Sequence, residues 1–380
     1  MDTQTEPCGA WALEGRQPRI AVIGAGMSGI CAVIKLRKAG YTDLTVYEKA
    51  DKVGGTWREN TYPGLSCDVP SHWYSFSFEL NPNWSHRFSY GPEIQAYMEH
   101  VAEKYDVTRV VQFNKRVTEL TYEGPTWRLK TDAGDEEIYD LVFSATGVLH
   151  QPAYPDIPGL DSFAGAKFHT TRWDHSVELE GKRVGIIGTG STASQIIGTI
   201  AENVGHLFVF QRTPQWMAEL PQKKYSELSK KLLKLFPFAQ RLLSFYYYKL
   251  TERTFAEATI GNKYMQQKLS EACLKNLEEN VPDPELRAKL TPDYQAACKR
   301  LIICSDFYPA MCRENVDLVT ERIQGIEAGG VRTEDGTLHE LDVLVIATGF
   351  DVCKFILPTR VIGEYWFHRE EFWDGAPRAH

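Results

Sequence analysis

A chain of 380 residues is longer than one ordinary core supports and implies two or three domains. With 43% hydrophobic and 24% charged residues it is globular, and its net charge of −8 leaves no basic surface for nucleic acid. Eight scattered cysteines form no Cys-x-x-Cys pair and no zinc-spaced Cys/His cluster, no run of about 18 apolar residues suits a membrane-spanning helix, and the polar start lacks an export signal.

The expectation is a soluble cytoplasmic protein with no metal site. Its oligomeric state is not legible. Residues 1–18, interrupted by Pro7, Gly9, Gly15 and Pro18, read as a flexible lead-in. Arg19–Ile23 reads as a buried strand running into Gly24-Ala-Gly26-Met-Ser-Gly29. A helix over Ile30–Ala39 follows, stopped by Gly40, then a strand over Leu44–Tyr47 that ends at Glu48. In that context Gly24 permits the tight turn, Gly26 lets the backbone approach a pyrophosphate, and Gly29 lets helix and strand pack closely. The helix N-terminus offers free N–H groups to the phosphates, and Glu48 can accept from a ribose diol. The Gly54-Gly55-Thr56-Trp57 turn, Tyr62-Pro63-Gly64 and Asp68 come next. A helix is predicted over 92–105 and strands over Val117–Tyr122, Trp127–Thr131 and Tyr139–Phe143. The apolar run from Leu141 ends in Ala145-Thr146-Gly147, small enough for the chain to pass close to a dinucleotide. Val148–Leu160, rich in Pro and Gly, reads as an interdomain linker.

Phe163–Asp174 has the form F-x-G-x-x-x-H-x-x-x-W-D, with His169 and Trp173 at its centre and end. It lies between two glycine-rich turns and is a candidate joint between domains. Arg183–Ile187 is a second buried strand, entering Gly188-Thr-Gly190-Ser191-Thr-Ala193, a helix through Ala201 and a strand over Leu207–Phe210. The first unit is thus repeated. Glu48 stands 24 positions after Gly24, and Arg212 stands 24 positions after Gly188. A carboxylate at that place reads a free ribose hydroxyl, whereas an arginine accommodates a 2′-phosphate. One site for FAD and a second for NADPH follow. Lys223–Leu250 and Glu252–Glu279 are predicted helices of an insertion. Its segment Leu232–Lys249 is apolar and basic, which would suit a membrane surface. Because Pro237 interrupts it, packing over the active site is preferred. Lys299-Arg300 begins a strand-like return through Ile303, followed by short strands over 317–320, 323–327 and 330–333. Leu341–Gly349 ends in a second Ala-Thr-Gly.

Five motifs in this order, over residues 18–378, resemble the Baeyer–Villiger monooxygenases. They are the two glycine turns, Gly54–Asp68, Phe163–Asp174 and Lys299-Arg300. The resemblance implies an α/β fold with two Rossmann-like dinucleotide-binding domains and a helical insertion. The flavin domain would cover 19–150, completed by 340–380. The NADPH domain would cover 151–221 and 299–339, with the insertion at 222–298. It further implies that Gly55, Thr56 and Trp57 lie along FAD and that Arg300 is catalytic, its guanidinium held by Asp68. Lys299, with Arg212 and Thr213, would bind the NADPH 2′-phosphate beside Gly188, Gly190 and Ser191. His169 would couple domain motion to oxygenation. In the implied reaction NADPH reduces FAD, O2 gives a peroxide at the flavin C4a carbon, and attack on a ketone yields an ester or lactone plus water. Members of that family continue beyond this chain's last residue, so a truncation is expected. A truncated flavoprotein that oxidises NADPH and releases peroxide, a non-catalytic remnant, and an N- or S-oxidising flavin monooxygenase are the alternatives.

Overall fold

The computed structural model describes residues 15–219, 222–354 and 356–364. Residues 1–14 of the expected lead-in and 365–380 of the expected return lie outside the described residues. The chain divides into two compact units. The first comprises Met1–Arg58, Gln95–Gln151 and Asp351–His380, and the second comprises Glu59–Ile94 and Pro152–Phe350.

The first unit is built on a four-stranded parallel sheet in the order Val111–Gln112, Leu44–Tyr47, Ile20–Ile23, Leu141–Ser144. Ile20–Ile23 is buried along its whole length, as a central parallel strand with apolar side chains on both faces must be. The helix Met27–Lys38 returns from it, burying Gly29, Ile30, Val33 and Ile34 and ending in three basic residues that suit its C-terminus. A second sheet pairs Val117–Glu123, Thr126–Thr131 and Glu136–Tyr139 as an antiparallel meander, with Arg360–Ile362 added in parallel at one edge. Leu120, Leu129 and Tyr139 of the meander pack with Ala21, Ile23 and Tyr47 of the parallel sheet. The strand expected over Tyr139–Phe143 is therefore two strands in two sheets. Asp140 divides them. Its buried carboxylate accepts from the Arg19 N–H at 2.7 Å and from the Arg16 guanidinium at 2.6 and 2.7 Å. That contact also fixes the described end of the expected lead-in.

The second unit carries a five-stranded parallel sheet in the order Val316–Val319, His206–Phe210, Arg183–Ile187, Val343–Ile346, Ala166–His169. The helix Ser191–Ile200 buries Ala193, Ser194, Ile196, Ile197 and Ile200. A three-stranded antiparallel sheet, Ile323–Glu327, Gly330–Thr333 and Leu338–Glu340, contributes Ile326 and Val331 to the same core as Phe163, Ile187 and Leu344. The chain is thus α/β, with two Rossmann-like parallel sheets and a helical insertion.

Three expectations change. Ala166–His169 is an edge strand of this sheet, so the 163–174 motif lies inside the second unit, with Phe163 in its core, and not between the two units. Val343–Ile346 pairs on both sides within the second unit, so the chain returns to the first unit at Asp351 and not at 340. Residues 59–94 belong with the second unit because their backbone docks there, as described below. The insertion is also more broken than its composition implies. Glu227–Leu235, capped by Ser226, stops at Phe236, where Pro237 opens a new helix running to Thr251. A π-turn over Glu252–Ala256 and the left-handed Gly261 (φ +96°) separate that helix from Lys263–Asn280, which Asn262 caps.

Candidate functional site

The first glycine turn is a trough of bare backbone. Gly24 has φ +101°, and a Cβ there would stand 2.6 Å from the Ala145 carbonyl oxygen. A Cβ on Gly29 would stand 1.9 Å from the Gly24 oxygen, so helix and strand touch with no room for a methyl. Gly26 and Gly55 face each other, added Cβ atoms lying 3.4 and 3.0 Å from the opposite Cα. No side chain caps the helix Met27–Lys38 and no acid sits in its first turn, which leaves its N–H groups to an anion. Thr56 and Trp57 open the short helix Thr56–Glu59 just beyond Gly55. Glu48 is buried, and its two oxygens accept from the Ala25 N–H at 2.8 Å and the Ala50 N–H at 3.0 Å. It locks the turn, and a ribose hydroxyl would add to those bonds, since each carboxylate oxygen has a second lone pair.

The second turn repeats this backbone. Gly188 has φ +113°, with the Ala347 carbonyl oxygen 2.6 Å from a hypothetical Cβ, while Gly190 has open space around it to 4 Å. Ser191 begins a helix that again has neither a side-chain cap nor an acid in its first turn. A dinucleotide pyrophosphate fits both troughs on these grounds. Arg212 is exposed just past the strand His206–Phe210. The Thr213 carbonyl accepts from the Thr189 hydroxyl of the turn at 3.4 Å. One residue on, the Pro214 carbonyl accepts from the Tyr294 hydroxyl at 3.2 Å, and Lys299 Nζ sits 4.3 Å from the centre of the Tyr294 ring. Tyr294 thus ties the segment bearing Lys299 to the one bearing Arg212 and Thr213.

Asp68 and Arg300, 232 positions apart, meet in the second unit, where the Arg300 guanidinium donates to the Asp68 carboxylate. The loop that carries Asp68 is fixed to the helix Ser191–Ile200 through Gln195. Tyr62 donates its hydroxyl to the Gln195 side-chain oxygen at 3.1 Å, and the Gln195 amide donates to the Ser66 carbonyl at 3.0 Å. Gly64 presses on the same helix, a Cβ there falling 2.6 Å from the Gln195 carbonyl oxygen. The neighbours of the pair are un-ionised. Burial pushes the Tyr62 hydroxyl up to about 12, against a lowering hydrogen bond with Thr192, and pushes the Cys67 thiol up to about 12. The Arg300 side chain is 66% exposed and that of Asp68 21%. An ion pair so open adds about 1 kcal/mol or less to stability.

His169 is buried at the end of its strand. Its Nδ1 accepts from the Thr171 N–H at 3.2 Å, which leaves the ring proton on Nε2. Burial lowers its pKa to about 4, partly opposed by the Gly349 backbone, and the Tyr154 ring lies against it at 5.3 Å. It is a neutral imidazole of the sheet. Gln195 and Tyr294 were not singled out by sequence. The available signals were a lone long polar side chain on an otherwise small and apolar helix, and a tyrosine beside the Lys-Arg pair.

Among the described residues, no cluster of three or more His, Cys, Asp or Glu could hold a metal, and no helix is long and apolar enough to cross a membrane. The profile of the family described as flavin-binding monooxygenase-like matches residues 17–362. An uncharacterized monooxygenase of Mycobacterium tuberculosis is 46% identical over 368 residues, 97% of this chain and 74% of that protein. A Baeyer-Villiger monooxygenase of Streptomyces coelicolor is 40% identical over 366 residues, 95% of this chain and 70% of its own length. The crystal structure of cyclohexanone monooxygenase from Rhodococcus sp. Phi1 bound to NADP+ superposes with a TM-score of 0.84 at 31% identity, covering 95% of this chain and 76% of that one.

Proposed function

This chain belongs to the flavin-binding monooxygenase-like family, and we propose that within it the protein is an FAD- and NADPH-dependent Baeyer–Villiger monooxygenase. A small-molecule ketone, O2, NADPH and a proton would give an ester or lactone, water and NADP+, in the cytoplasm. Bound flavin, reduced by NADPH, supplies the activated oxygen.

The protein's own residues supply placement and charge. Gly24, Gly26, Gly29 and Gly55 form the backbone trough for the FAD pyrophosphate, with Glu48 toward the ribose and Thr56 and Trp57 bordering the trough. Gly188, Gly190 and Ser191 receive the NADPH pyrophosphate, and Arg212, Thr213 and Lys299 its 2′-phosphate. Arg300 holds a fixed positive charge where the carbonyl oxygen of the ketone becomes anionic. Asp68 sets the direction of that guanidinium, and Tyr62 and Gln195 hold the loop that carries Asp68. His169, neutral and buried, neither gives nor takes a proton in the reaction. It keeps the edge strand seated beside Gly349.

The observation that carries this reading is the Asp68–Arg300 pair, which brings the Gly54–Asp68 loop and the Lys299-Arg300 motif together across 232 positions. The test is turnover of a panel of cyclic and aromatic ketones with FAD and NADPH, with esters and peroxide both quantified. Arg300→Ala should lower ester formation about 10²- to 10³-fold while leaving the melting temperature within a degree or two. Ester formation untouched by Arg300→Ala, or NADPH consumed only to peroxide, would overturn the assignment.

A further inference from the structure

Two consecutive helices of the insertion wear their apolar residues outward. In Glu227–Leu235 the stripe is Leu228, Leu232 and Leu235, and in Pro237–Thr251 it is Phe238, Leu242 and Phe245. Both follow the i, i+4, i+7 spacing of a single helix face. These six side chains are between 49% and 69% exposed. On an ordinary surface helix that stripe faces the core. Here the buried position of the second helix is Gln240, which donates to the Leu233 carbonyl at 2.9 Å. The stripes carry the same basic mark, Lys231 three residues after Leu228 and Arg241 three after Phe238, both exposed. Exposed Phe236, Tyr246, Tyr248 and Ile260 extend the patch.

Charge says what covers it. Residues 223–264 hold nine Lys or Arg and three Glu, a surplus of six positive charges in a chain whose net charge is −8. The positive charge is thus concentrated where the apolar side chains are exposed. A second copy seated on the same face would bring like charges together. A surface of anionic headgroups over acyl chains would satisfy both the charges and the apolar stripes. At nine and 15 residues, the helices are too short to cross a bilayer and suited to lie on it.

We propose that this helix pair docks the protein on an anionic lipid bilayer, with the Leu228 and Phe238 stripes at the acyl boundary and Lys231 and Arg241 at the headgroups. The inference is independent of the reaction assigned above.

The test is sedimentation of the full chain with vesicles, either phosphatidylcholine alone or phosphatidylcholine with phosphatidylglycerol at about 7:3, in low and high salt. Pelleting is expected with the mixed vesicles only, weakened by salt. Combined Phe238→Ser and Leu242→Ser should cut partitioning about tenfold or more, and each of Lys231→Glu and Arg241→Glu at least about fivefold. All four positions are exposed, so the melting temperature should hold. Absence of pelleting with mixed vesicles, equal pelleting with neutral ones, or variants that bind like the parent would each overturn the proposal. Loss of a dimer in the serine variant without any vesicle binding would assign the face to a second copy and overturn it as well.

Discussion

At Gly24 an added Cβ would lie 2.6 Å from the Ala145 carbonyl oxygen, and at Gly188 the same 2.6 Å from that of Ala347. The two turns share φ angles, uncapped helices and a following small-residue strand end. Two of their differences bear most directly on a bound dinucleotide. The third position is Gly29 in the first turn and the fully buried Ala193 in the second, and the position 24 residues on is buried Glu48 in one and exposed Arg212 in the other. Backbone geometry is therefore common property of the two sites. The methyl at the third position and the charge 24 residues on can each be altered separately.

The largest effect is expected at the methyl. Gly29→Ala would set a Cβ 1.9 Å from the Gly24 oxygen, and both partners are backbone. The first turn must open, at a cost of about 3 kcal/mol or more, and the purified protein should lose its visible flavin bands. Ala193→Gly in the other turn should cost only about 1 kcal/mol, the ordinary penalty of a helical glycine. Equal damage at the two positions would break the comparison.

The charge comes next. Arg212→Ala should reduce the preference for NADPH over NADH by about 10- to 100-fold, chiefly through KM, and leave flavin content unchanged. An unaltered preference would move the 2′-phosphate contact to Lys299 alone.

The smallest difference concerns pH. The second unit buries two imidazoles, His72 and His169, each lowered by burial to about 4. Their folded pKa lies below the unfolded value of about 6.5. The unfolded chain therefore binds more protons between pH 6.5 and 4. Stability is full above that window and falls through it by up to about 1.4 kcal/mol per pH unit for each histidine. Melting followed over this range should show a slope that His72→Gln flattens. A flat profile in the parent would show that these rings protonate without cost.

Much of this was legible because it is local. Ile20–Ile23, Leu44–Tyr47 and Arg183–Ile187 are short apolar runs closed by glycine, and the positions of Gly24 and Gly188 relative to them announce the turns. In the insertion the break at Pro237 is legible as a helix interruption, whereas nothing in the composition over Glu252–Glu279 marks the turn that Gly261 makes there. Residues 59–94 join the second unit, not the flavin domain expected over 19–150, for a different reason. Nothing in Tyr62 foretells Gln195, 133 positions away, or in Phe168 its register partner Val345. The closeness of Asp68 to Arg300 was likewise invisible to spacing and was expected only through resemblance.

The position of Val343–Ile346 in its sheet also bears on how the protein is made. It lies between Arg183–Ile187 and Ala166–His169, so the last strand of the sheet to leave the ribosome joins two that were completed long before. Until it arrives, the strand ending in His169 has no neighbour in that sheet, although the Phe168 ring already has Trp173 beside it. The sheet then closes in a single late step that spans nearly the whole unit, the kind of long-range pairing that is slow and that leaves open edges for chaperones to guard.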